Sequence, residues 1–166
     1  MSTFFIADTH FGEDNIRRYE NRPFASAEEM DEALILNWNS AVSDSDEVFL
    51  LGDFGAQDRE RDVLSRLKGR KLLLKGNHDV KPDGFYYSAG FDKVYDLPVL
   101  YGGFWLLSHE PLYVNANMPY ANIFGHVHAN PMYRTYSSQH FCVSAERINY
   151  TPAAFEEIAR RVKENS

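Results

Sequence analysis

Asp8, His10, Asp53, Asn77, His109, His126 and His128 are the side chains of this sequence best suited to hold metal ions, and His78 stands beside them as a spare histidine. They fall in five short blocks: Asp8-Thr9-His10, Gly52-Asp53, Gly76-Asn77-His78-Asp79, Ser108-His109 and Gly125-His126-Val127-His128. Imidazole mixed with carboxylate suits Zn-, Mn- or Fe-type ions. A carboxylate has two oxygens and can serve one ion with each, which makes Asp53 the natural bridge. Asn77 offers a neutral amide oxygen that keeps the ligand charge low and the ions strongly Lewis-acidic. His78 would then point at substrate. Together these donors predict a two-metal site. A structural zinc site is a poor alternative, because it usually draws on cysteines and the chain has one.

Such donors need elements that bring them together. Four of the five blocks follow directly on an apolar run that reads as a strand, and ligands at strand ends converge on one rim of a sheet. The runs cover residues 3–7, 47–51, 71–74, 104–107 and 122–124. In extended chain, the spacing of Asp8 and His10 puts both side chains on one side. Ser26 with Glu29 forms a capping box that starts a helix to about Val42, with Met30, Leu34 and Trp38 inward. An amphipathic helix follows over 58–67, and Gly69 lies just past its end. Gly102-Gly103 marks a hairpin between the runs 93–101 and 104–107. Residues 132–136 and 140–145 suggest further strands, and Thr151-Pro152 opens a last helix. The first half alternates strand and helix, whereas the second is mostly sheet. The expectation is a single α/β domain over residues 1–166: two mixed β-sheets packed face to face, flanked by helices.

Composition narrows the partners. The net charge of −7 tells against tight non-specific binding to duplex nucleic acid, which needs a concentrated cationic surface. It leaves room for a small phosphate ester, because two bound divalent cations would reverse the local potential. No apolar stretch is long enough to span a bilayer, so no membrane partner is expected. Residues 1–6 lack a basic leader region, which favours a cytoplasmic location. Cys142 reads as a reduced, buried thiol. Arg22, directed by the Arg22-Pro23-Phe24 turn, is a candidate clamp for substrate phosphate, with Arg17 and Arg18 behind it. His140 reads as packing. The polar–aromatic stretch 110–120 offers a place for a base to stack.

The order and composition of all five blocks resemble the calcineurin-like metallophosphoesterase superfamily. Asp8-Thr9-His10-Phe11-Gly12, Asn15-Ile16, Arg22-Pro23-Phe24, Trp38-Asn39 and Leu51-Gly52-Asp53-Phe54 are similar to a small bacterial and phage subgroup, in which a histidine stands where this chain has Glu13. The resemblance implies a four-layer sandwich and a division of ligands. Asp8, His10 and His128 would hold the first metal, Asn77, His109 and His126 the second, and Asp53 would bridge. It implies two divalent ions, Mn²⁺ foremost with Zn²⁺, Fe or Ni²⁺ as alternatives. The reaction would be attack of a metal-bridging hydroxide on a phosphodiester or phosphomonoester, with a nucleotide among the candidate substrates. Catalysis would rest on His78 and Asp53; Arg22, Asn77 and His78 would bind substrate. His78, oriented by Asp8 or Asp79, would protonate the leaving alkoxide. A nuclease or end-processing enzyme of the same superfamily is the first alternative, and a non-enzymatic interaction module that keeps the fold is the second.

Overall fold

Alternate side chains of the first strand, β1 (Thr3–Ile6), serve two different cores. Phe4 and Ile6 face the helices, whereas Phe5 faces a second sheet. That period of two follows from the pleat of a strand, and it sets the layers of the computed structural model, which describes residues 1–134 and 136–166.

The first sheet has the order β4 (Lys93–Tyr95), β3 (Arg70–Leu74), β2 (Glu47–Leu50), β1 and β9 (Ala153–Ala154). Strands β1 to β4 are parallel, and β9 runs antiparallel to β1 through the pairs Phe4 with Ala154 and Phe5 with Ala153. The second sheet has the order β5 (Val99–Tyr101), β6 (Trp105–Leu107), β7 (Ala121–Phe124) and β8 (His140–Cys142). Here β5 and β6 form the expected hairpin around Gly102-Gly103, and β6, β7 and β8 are parallel. The run 93–101 therefore divides between the two sheets.

Between the sheets lie Phe5, Phe49, Leu51, Leu72 and Leu74 from one side and Leu107, Ala121, Ile123 and Phe141 from the other. Ile158 and Val162 of α5 (Phe155–Glu164) join the same core. On the outer face of the first sheet, α2 (Ala27–Ala41) buries Met30, Leu34, Ile35 and Trp38. Val63 and Leu64 of α3 (Glu60–Arg66) and Tyr86 of α4 (Asp83–Ala89) complete that layer. Ser26 Oγ accepts the amide of Glu29, and Glu29 reaches back to the amide of Ala25, one residue beyond the usual capping box. Trp38 Nε1 donates to the carbonyl of Lys68, and Asn39 pairs with Arg66 O and Lys68 N, which tie α2 to the turn that feeds β3. The second sheet is covered by chain rather than helix: Asn122 Oδ1 accepts from the Leu112 amide, and His140 Nε2 lies 3.4 Å from Leu112 O.

Three expectations are corrected. Pro152 does not open a helix, because the exposed edge of β1 recruits the next residues as β9, and α5 starts only at Phe155. Residues 132–134 form turns instead of a strand; within the expected run Tyr136 makes one antiparallel bridge to Phe141, and Thr135 lies outside the described residues. The His140–Ala145 run shortens to β8 because Ser144 and Ala145 leave the sheet to meet Ala7.

Candidate metal centre

Parallel pairing puts the carboxyl ends of β1, β2 and β3 on one edge, and those of β6 and β7 likewise in the second sheet. Every block sits just past one of these ends. The two sheets meet there, since Ala7 N donates to Val143 O and Ala145 N to Ala7 O. Convergence on one rim is therefore a property of the topology.

The local backbone is not what strand periodicity suggests. Asp8, His10, Asp53, His126 and His128 all have positive φ, between 48° and 68°. An extended chain does not carry Asp8 and His10 to one side; two left-handed residues flanking Thr9 do. Such conformations cost about 1–3 kcal/mol each for residues with a Cβ and collect at functional sites. Neighbouring groups hold them. The His10 amide donates to Asp53 O at 3.0 Å and the Asp8 amide to Gly52 O at 2.9 Å. The Asp79 carboxylate accepts from the amides of Asp53 (2.7 Å), Phe54 (3.2 Å) and Gly76 (2.9 Å). Asp79 thus shapes the turns that present Asp53 and Asn77, rather than orienting His78. Gly52 (φ 92°) is required by conformation as well as contact and Gly76 by contact alone, because a Cβ on either would collide with His109 or Asp53.

Two groups of donors result at the strand ends, and a third, Glu20 with His128 and Glu146, shares His128 with the first. Asp8, His10 and His128 each offer an atom within 4.8 Å of the others, and so do Asp53, His109 and His126. Asp53 Oδ2 lies 3.6 Å from His10 Nε2 and 3.4 Å from His109 Nε2, between the two groups. His109 Nε2 is 2.9 Å from Asn77 Oδ1 and 3.1 Å from His126 Nδ1. Since His109 Nδ1 faces the Leu51 carbonyl at 2.8 Å, that nitrogen carries a proton, and in the neutral ring Nε2 presents a lone pair. Lone pairs facing a carboxylate, an amide oxygen and another imidazole need a positive charge among them. Asp8 Oδ1 and His10 Nε2 are buried without a hydrogen-bond partner, although buried polar atoms are ordinarily satisfied; His10 Nδ1 lies 3.2 Å from Glu13 Oε2. The donor set fits divalent metal ions.

Electrostatics agree. Burial pushes the Asp8 carboxyl up, against the pull of His128 and His109. Burial would also raise Asp53, but His109, the His78 amide and His10 outweigh it and hold the carboxyl at about 2. Burial depresses His109, yet Asp53 and Asp8 bring it up to about 9. A second cation would supply the positive charge that the histidine proton otherwise provides.

The remaining candidates divide. His78 is exposed at the rim; its amide donates to Asp53 Oδ1 at 2.9 Å, and its ring stands edge-on to His10 with centroids 5.3 Å apart. Asn77 is exposed with its oxygen on His109 and His126. Arg22 departs from expectation. Its guanidinium is fully buried, donating to Asp8 O (2.6 Å), Thr9 O (2.9 Å) and Glu146 (2.7 Å), so it braces the Asp8 turn instead of facing phosphate. Arg17 and Arg18 pair with Asp14. Cys142 is buried, and burial pushes its thiol up to about 11, as a space-filling thiol requires.

Glu146 is a neighbour of the centre to which the sequence assigned no role, although Ser144-Ala145-Glu146 recurs in the subgroup that the chain resembles. Its carboxylate accepts from His128 Nδ1 at 3.0 Å and from Arg22, which leaves His128 Nε2 to face Asp8 and His10. Burial would raise Glu146, but His128 and Arg22 hold it at about 2. One carboxylate carries no local signature, and only the pairing of β7 with β8 brings it under His128.

Comparison with known proteins places these features. No family model matches the chain. The protein AQ665 of Aquifex aeolicus, of unknown function, superposes with a TM-score of 0.71 at 25% identity, covering 96% of this chain and 98% of that one. A nuclease of Pseudomonas putida, MPE, shares the fold over 76% of this chain and 61% of its own, with a TM-score of 0.52 and 23% identity. The gene 66 protein of mycobacterium phage L5 is 32% identical over 47% of this chain and 40% of its own length. Full-length similarity comes from the uncharacterized protein MJ1445 of Methanocaldococcus jannaschii, 33% identical across 96% of this chain and 90% of the relative. On that extent of identity, the chain belongs to the same protein family as MJ1445.

Proposed function

We propose that this protein is a metal-dependent phosphoesterase of the calcineurin-like metallophosphoesterase class. In this reading Asp8, His10 and His128 hold one divalent ion, Asn77, His109 and His126 a second, and Asp53 serves both. The observation that carries it is the position of Asp53 Oδ2, 3.6 Å from His10 Nε2 and 3.4 Å from His109 Nε2, one oxygen facing both donor groups. The substrate is a phosphodiester or phosphomonoester, the metal Mn²⁺ before Zn²⁺, Fe or Ni²⁺, and the unit a single cytoplasmic domain. No helix among the described residues is long and apolar enough to cross a membrane.

Paired cations acidify water to hydroxide near neutral pH and neutralise the oxygens of an in-line displacement at phosphorus. The chain's own residues supply the rest. Asp79 and Arg22 hold the backbone turns that aim Asp53 and Asp8. His109, fixed by Leu51 O, and His128, fixed by Glu146, each turn Nε2 toward the centre. His78 stands free at the rim beside His10, where its imidazole can give a proton to the departing oxygen. Its backbone, held on Asp53 Oδ1, keeps the ring in place.

The test is hydrolysis of bis-aryl and mono-aryl phosphates by chelator-stripped protein, before and after Mn²⁺ is restored, with elemental analysis of bound metal. Activity that returns with two equivalents supports the reading. Absence of hydrolysis across esters and all four metals would overturn it and favour a non-enzymatic module. A nuclease is the second reading, favoured by the fold shared with the Pseudomonas enzyme. The net charge of −7 opposes it; steeply salt-dependent DNA binding would reverse that order.

A further inference from the structure

A groove of about 590 Å³ opens beside His126 and His128, within the size range of small-ligand sites. Its lining includes Tyr19, at the end of the helix α1 (Asp14–Tyr19), and Tyr133. Tyr19 is 82% exposed and Tyr133 43% exposed. Arg147 donates to the carbonyls of His128, Asn130 and Tyr133, which fixes the segment that carries Tyr133. The turn after Tyr19 is closed by Arg22 N on Arg17 O at 2.9 Å.

The lining selects a chemistry. Tyrosine faces stack on planar rings, and this stacking tolerates any base. Asn21 and Asn130 bring amides that can pair with a polar ring edge. The one charged side chain among the described lining residues, apart from the two histidines, is Glu20. An acidic wall repels further phosphates, and a strand needs cations along its track. The groove therefore suits a neutral, flat heterocycle attached to a phosphate that lies at the metal centre.

We propose that this groove receives the nucleobase of the substrate, so that the substrate is a phosphate ester of a single nucleoside rather than a nucleic-acid strand. The proposal rests on the phosphoesterase reading for its phosphate but not for its base, which permits separate tests. With the full chain loaded with diamagnetic Zn²⁺, adenosine and uridine should shift the NMR signals of Tyr19, Tyr133 and His126, whereas ribose should not. The KM for a nucleoside 4-nitrophenyl phosphate should lie about tenfold or more below that of methyl 4-nitrophenyl phosphate. Tyr19→Ala or Tyr133→Ala should raise it to the methyl ester's value and weaken nucleoside binding equally, and Tyr19→Phe should restore both. Tyr19 is exposed, so Tyr19→Ala leaves the fold in place.

Equal KM values for the two esters in the unmodified protein, with no nucleoside shifts, would overturn the proposal. So would an oligonucleotide that binds more tightly than a nucleoside and with steep salt dependence. Nucleoside shifts without hydrolysis of either ester would support the groove's ligand and overturn the phosphoesterase reading alone.

Discussion

The two donor groups are built differently although one carboxylate touches both. Asp8 and His10 are buried, and their group is braced from behind: Arg22 holds the Asp8 and Thr9 carbonyls, Glu146 holds His128, and Glu13 Oε2 lies 3.2 Å from His10 Nδ1. In the other group His126 and Asn77 are exposed, and its donors contact one another rather than outer partners, His109 and the Leu51 carbonyl excepted. The first group is arranged for retention and the second for access. Outer partners of this kind fix ring orientation and tautomer and raise affinity, so the braced group should bind its ion more tightly.

Asp53 is common to both groups, and Asp53→Ala should abolish the difference by removing both. Elemental analysis should find neither equivalent, and hydrolysis should fall to background; retention of two ions would refute the shared carboxylate. His78 belongs to neither group, so His78→Ala should keep both ions. It should slow hydrolysis of alkyl esters about 10²–10⁴-fold and activated aryl esters much less. Equal losses on the two ester types would remove the proton-donor role.

Glu146→Ala should sharpen the comparison. Affinity for one equivalent alone should drop about 10–100-fold, read by chelator competition, while the other is unchanged. The variant should also lose about 3–5 kcal/mol of stability by denaturant titration, because Arg22 is left as a buried, uncompensated charge. A uniform loss at both sites would mean that the bracing is not selective. The smallest effect concerns acid. Glu146 titrates at about 2 when folded against an ordinary 4.5, so its contribution is present above pH 4.5 and lost as pH falls toward 2. In metal-free protein, Glu146→Gln should flatten the decline in stability across that window; an unaltered acid limb would count against the assignment.

Much of this centre is legible without coordinates, and the reason is chemical. Seven residues able to ligate a metal, each at the end of an apolar run, have few other uses, and the described structure brings Asp8, His10, Asp53, Asn77, His109, His126 and His128 to one rim. Layering was legible too, since the first half alternates strand with helix and the second is mostly sheet. Arg22 was misread because an arginine beside a turn looks the same whether its guanidinium faces solvent or folds under Asp8. The start of α5 was misread because pattern alone does not reveal that β1 has an edge for residues 153 and 154 to cover.

Residue type and order alone determined which atoms can bind metal and that strand ends would carry them, since donor chemistry and hydrophobic period are local properties. Tertiary structure decided which lone pairs face each other, that five of the seven donors sit on left-handed backbone, and that Glu146 lies beneath His128. Those depend on hydrogen bonds between segments as many as 124 residues apart, as between Arg22 and Glu146. No window of sequence contains both partners of such a bond.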